Sequence, residues 1–160
     1  MLAAVALLGS GCGTADHSNG RVKAAAVINA WANALRRGDV RGAAHYFALP
    51  SVFANGPGPY GAPAIAIHDA MDALQVNESL PCGAKLISAK PSGRYVDALF
   101  LLTGRPGPGG TTCGSGAGQR ASVDFQISSG KIVAWIRLDA EGAPPPPGPI
   151  TAPVAGGAPD

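Results

Sequence analysis

The stretch from Arg120 to Asp139, RASVDFQISSGKIVAWIRLD, constrains the fold of this chain more than any other. Ala121, Val123, Phe125 and Ile127 alternate with Ser122, Asp124 and Gln126, and beyond Ser129-Gly130 the positions Ile132, Ala134, Ile136 and Leu138 resume a period of two. The pattern predicts a β-hairpin. With a two-residue turn at Ser129-Gly130, Ile127 is expected opposite Ile132, Phe125 opposite Ala134 and Val123 opposite Ile136. All of these then share one apolar face, while Asp124, Val133 and Trp135 share the other. An apolar sheet face must be covered, and the only helical patterns lie toward the N-terminus. The expected fold class is therefore α+β, with N-terminal helices packed back on a late antiparallel sheet.

Ala24, Val27, Ile28, Trp31 and Leu35 repeat with helical spacing, while Arg21, Lys23, Asn29, Asn33, Arg36 and Arg37 fall elsewhere. This predicts an amphipathic helix anchored by Trp31 and stopped at Gly38. Asp39 offers an N-cap for a second short helix with Val40, Ala43, Ala44 and Phe47 on one face, ended by Pro50. A short strand over 51–55 follows. After a Gly/Pro stretch containing Tyr60, Pro63 is read as opening a third helix with Ile67, Ala70, Met71 and Leu74 aligned. From there the period changes to two, with strands over 84–90 and 95–103, a long Gly-rich loop holding Cys113, and the hairpin.

Residues 142–160 form a Pro/Gly/Ala tail too poor in apolar bulk to build a core. The remaining length suits one domain, placed at 21–141. Twelve Lys and Arg stand against ten Asp and Glu, scattered singly, so no basic stripe tracks a phosphate backbone and nucleic acid is not an expected partner.

The first twelve residues, MLAAVALLGSGC, carry an apolar run too short to span a membrane. The run resembles the h-region of an export signal, and Ser10-Gly11-Cys12 resembles the lipobox of bacterial lipoproteins. That resemblance implies lipidation at Cys12, a tether over 13–20, and anchoring to the outer face of the bacterial cytoplasmic membrane, with secretion as the alternative. Cys82 and Cys113 are then left to pair in an oxidising compartment, with two buried free thiols as the other reading.

The element order, together with Val27-Ile28-Asn29-Ala30-Trp31, Leu35, Gly38-Asp39, Ala43-Ala44-His45-Tyr46-Phe47 and Phe125 through Trp135, resembles the nuclear-transport-factor-2-like (NTF2-like, or SnoaL-like) superfamily. The resemblance implies a curved sheet wrapped with its helices into a cone whose mouth can hold a small apolar molecule. Members isomerise, dehydrate, cyclise or only bind, so fold does not choose among these roles. Expected cavity residues are Trp31, Phe47, Tyr60, Met71, Phe125 and Ile136.

An enzyme of this kind needs a carboxylate or His aimed into the cavity, with a partner to stabilise an enolate. The candidates are Asp97, in mid-strand, His68, beside the third helix's stripe, and Tyr46. No position matches a known catalytic carboxylate of the ketosteroid isomerase type, so the balance leans toward a non-catalytic envelope protein that binds a small apolar ligand or serves as an accessory module. A third reading is a homodimer through the sheet's outer face, with Val133 and Trp135 at the contact. His17, His45 and His68 show no ligand spacing, and no cofactor or metal is implied. Asn77-Glu78-Ser79 has the form of a glycosylation acceptor.

Overall fold

A computed structural model describes residues 14–56, 63–110 and 113–138. Three helices, α1 (Thr14–Arg36), α2 (Val40–Ala44) and α3 (Ala70–Glu78), pack on a six-stranded sheet made of β1 (Phe47–Ala54), β2 (Ile65–Ile67), β3 (Gly83–Ser92), β4 (Tyr95–Thr103), β5 (Arg120–Ser128) and β6 (Lys131–Arg137). The order across the sheet is β2-β1-β6-β5-β4-β3. All neighbours are antiparallel except β1 and β6, which run parallel. The α+β expectation holds, with one parallel pair added.

Helix α1 buries the predicted stripe: Ala24, Ile28, Trp31 and Leu35 are each under 10% exposed. It starts at Thr14, within the segment 13–20 expected as a tether. Gly38 ends this helical region with φ of 77°, and a side chain there would press within 2.5 Å of the Pro106 carbonyl oxygen. Only glycine permits both that backbone conformation and that close approach. Asp39 caps α2 through Gly42 N–H at 2.8 Å.

Three boundaries differ from expectation. Helix α2 ends at Ala44, and β1 begins at Phe47 and runs through Pro50. The proline is accommodated because pairing with β6 is interrupted between Phe47 and Val52, where no ladder N–H is required. Residues 65–67 form β2, paired with β1, and α3 starts only at Ala70. Asp69 decides that start: its Oδ1 accepts from the N–H groups of Met71 and Asp72, while Asp72 Oδ2 accepts from His68 N–H. This reciprocal capping fixes where the helix can begin. Its buried face is then Ala73, Val76 and Asn77.

The hairpin turns at Ser129-Gly130 with φ of 50° and 75°, a geometry suited to two-residue loops. Ile127 lies opposite Ile132 as expected. Beyond that pair the register slips: Val133 has no partner, and Phe125 faces Trp135, Asp124 faces Ile136 and Val123 faces Arg137. This bulge inverts the rest of β6 relative to a strict alternation. Trp135 enters the core at 3% exposure and Ile136 goes to the far face, reversing both assignments.

The core is aromatic at its centre. Trp31 meets Phe125 edge-on at 5.4 Å and Phe100 at 6.0 Å, and Trp135 stacks on Phe53 at 4.5 Å. Such pairs add about 0.5–1.5 kcal/mol each beyond area burial. The indole N–H of Trp31 donates to Asn77 Oδ1 at 2.9 Å, and Asn77 Nδ2 donates to the Ala73 carbonyl. Asn77 is wholly buried and committed to Trp31, so it is not presented as a glycan acceptor.

Cys82 and Cys113 form a disulfide. It fastens the long loop after β4 to the start of β3. The loop also buries Arg105, whose guanidinium donates to the carbonyls of Asn77, Glu78 and Leu80 at the C-terminal end of α3. Among the described residues no helix is long and apolar enough to cross a membrane.

Candidate functional site

Between α1 and the sheet lies a cavity of about 210 Å³. Trp31 and Leu35 of α1 form one wall, and Phe100, Val123 and Trp135 of the sheet form another. The Cys82–Cys113 disulfide and Gly116 of the long loop complete the lining. Periodicity places the first wall, because Trp31 and Leu35 are one helical turn apart. The strand alternation places the second, with Val123 and Phe125 on the covered face of β5.

Two polar side chains, Asn55 and Arg137, interrupt the apolar lining, and Trp135 adds a buried N–H beside them. Arg137 stands opposite Val123, hence on the helix-covered face, and its Nη1 donates to Asn55 Oδ1 at 3.4 Å. Among the described lining residues Arg137 is the only charged one. Trp135 is almost fully buried, and its indole Nε1 finds no hydrogen-bond partner. The sequence pattern hid Trp135 and Arg137, because it placed them on the outer face, and nothing local in the sequence marks the bulge that turns them inward.

The catalytic candidates are not brought together. Asp97 lies on β4 between Val96 and Ala98, facing away from the helices, with Asp124 directly across on β5 and Lys90 across on β3. The opposing pair has a consequence: burial first, and the Asp97 carboxylate second, push the Asp124 carboxyl above its ordinary range. Oδ1 of each aspartate is buried without a partner. His68 is exposed just before α3. Tyr46 is half-buried between α2 and β1, and its carbonyl accepts from Ile132 N–H. None of the three lines the cavity.

The other expected cavity residues divide. Phe125 packs behind Trp31 in the core, Met71 is 59% exposed on α3, and Ile136 lies beside Asp124 on the far face. Met71 turns outward because α3 begins at Ala70, seven residues after the Pro63 start that the pattern suggested, and buries Ala73, Val76 and Asn77 instead. Phe47 lines a second hollow of about 290 Å³ between α2, α3 and β1, together with Leu49, Leu74 and Lys131. Lys131 Nζ is held there by the His45 carbonyl. Tyr60, Cys12 and the tail over 142–160 lie outside the described residues. No grouping of three or more His, Cys, Asp or Glu side chains suited to a metal occurs among the described residues.

This architecture, a helix-lined cavity over one face of a curved mixed sheet, is that of the NTF2-like fold. A provisionally named ketosteroid isomerase from Kribbella flavida superposes over 80% of this chain and 85% of its own, with a TM-score of 0.53 at 16% identity. An NTF2-like protein of unknown function from Mesorhizobium loti gives 0.51 at 10% identity, over 74% of this chain and 91% of its own. Another from Burkholderia xenovorans gives 0.50 at 15% identity, over 77% and 88%. No family model matches the sequence, and no curated protein is significantly similar to it. The chain thus has the NTF2-like fold, and at these identities the likeness speaks for the fold alone.

Proposed function

We propose that this protein is a non-catalytic member of the NTF2-like class that holds a small, largely apolar molecule in its cone. The observation that carries the reading is the cavity lining: among its described residues there are apolar walls and one cation, and neither a carboxylate nor a histidine to act as a base. The acids that an isomerase or dehydratase would use, Asp97 and Asp124, face the other side of the sheet. Proton abstraction needs the base within hydrogen-bond reach of the substrate, so their position weighs against the enzyme reading. A place in the cell envelope fits a domain closed by a disulfide, since such bonds persist in oxidising compartments.

Non-denaturing mass spectrometry of the chain, made in an oxidising compartment and purified gently, tests this. A co-purified mass that leaves on unfolding supports the reading. An empty protein that also binds no apolar probe, or one that turns over an enolisable ketone, would sink it.

A further inference from the structure

Three observations bear on what the cavity holds, and they stand on the reading of the cavity as a binding site. The cavity volume of about 210 Å³ is below the roughly 300–1,000 Å³ usual for small-molecule sites, so the occupant is small. Arg137 is a cation within apolar walls, and Asn55 Oδ1, a neutral acceptor at long range, is its one hydrogen-bond partner among the described residues. Trp135 carries a buried N–H without an acceptor, whereas the equivalent group of Trp31 is satisfied by Asn77. Trp135 and Arg137 are two residues apart on the same face of β6, so their side chains are neighbours along the strand.

We propose that the ligand is a small carboxylate, with its apolar body against Trp31, Leu35, Phe100 and Val123 and its carboxylate taken by Arg137 and the indole N–H of Trp135. A guanidinium presents two parallel donors that match the two oxygens of a carboxylate, and the lone pairs left over can accept from the indole. A neutral ligand would forgo the charge-assisted hydrogen bonds that the part-exposed Arg137 guanidinium, held only by Asn55 among the described residues, can still make. A phosphate dianion would bring two charges to a single cation and leave one desolvated without a partner. One negative charge on a planar group answers both donors.

The test titrates the oxidised full chain with phenylacetate and with two probes that lack the charge, phenylacetamide and toluene. The protein has two tryptophans, so its two indole N–H resonances can be followed separately. Phenylacetate is expected to bind at least tenfold more tightly than phenylacetamide and to shift the Trp135 indole resonance downfield, an effect phenylacetamide and toluene do not produce. Trp31, whose ring lines the same cavity, moves alike with all three probes. Arg137→Met should abolish the preference. The comparison of probes on the unaltered chain needs no variant, so the proposal stays testable should Arg137→Met misfold. Equal binding of phenylacetate and phenylacetamide, or a still Trp135 resonance, overturns the proposal while toluene binding keeps the cavity as an apolar site. Failure of all three probes removes the binding reading itself.

Discussion

Arg105 shows how one side chain can hold a loop that has little else to bury. It is 6% exposed, and its guanidinium satisfies carbonyls that the last turn of α3 leaves without helical partners. A cation at that end also opposes the helix dipole. Burial lowers the Arg105 pKa, with Glu78 acting in the opposite sense. Gly109 lets the loop come this close, because a side chain there would collide with the Glu78 carbonyl. Arg105→Met should cost about 2–3 kcal/mol, since it strands buried acceptors, and urea unfolding of the oxidised protein would measure it.

The Asp97–Asp124 pair works the other way. The folded state keeps a proton on Asp124 at pH values where the unfolded chain has released it, because the folded pKa is raised above the ordinary 3.8. Stability is therefore fuller below that value and falls as pH rises through the raised pKa. Asp124→Asn should raise the melting temperature at pH 7, by a like-charge relief of about 0.2–1 kcal/mol, and flatten the pH slope. A melting temperature that drops would contradict this account. Residues such as Ile28, Trp31 and Leu35 were legible because their burial is periodic. Arg105 and Asn77 were not, since one sits in a Gly/Pro loop and the other in a polar triplet, and tertiary contacts alone decide their burial.

Among the elements, β6 teaches most about what pattern can and cannot reveal. The turn and the first cross-strand pair followed from composition, as did the existence of both strands. One extra residue at Val133 then reversed the faces of everything after it. Nothing local marks that slip: Ile-Val-Ala-Trp-Ile is apolar on both faces, so either register satisfies the alternation, and the winner is the one that buries the larger indole against Trp31 and Phe53. Trp135→Ala should therefore cost about 3–5 kcal/mol as a core truncation. Trp135→Glu should unfold the domain rather than alter its association, and circular dichroism alongside sedimentation separates the two outcomes. Helix α3 was displaced for a different reason. The apolar spacing from Ile67 onward fits a helix, yet Ile67 belongs to β2, and the Asp69 cap sets the start two residues beyond it. Capping chemistry was readable there, and the apolar stripe outweighed it.

At the scale of the molecule, the disulfide is the long-range tie that the sequence made legible. It spans 31 residues, and loop-closure entropy assigns it about 3–4 kcal/mol. Reduction should lower the melting temperature accordingly, which calorimetry with and without dithiothreitol would show; an unchanged value would mean that Arg105 and the loop's backbone hydrogen bonds to Leu102 hold it without the bond. The cone and its helices could be expected from element order, because layers and periods follow from the chain. The polarity of the cavity could not, because it turns on which way two residues of β6 face. Both sulfurs also stand in the cavity wall beside Gly116. A vessel whose lining includes an oxidised bond is finished only where an oxidant finishes it. On the proposed reading of an exported, ligand-binding chain, this would separate the place of synthesis from the place of loading, so that a ligand abundant in the cytosol would meet no completed cavity there.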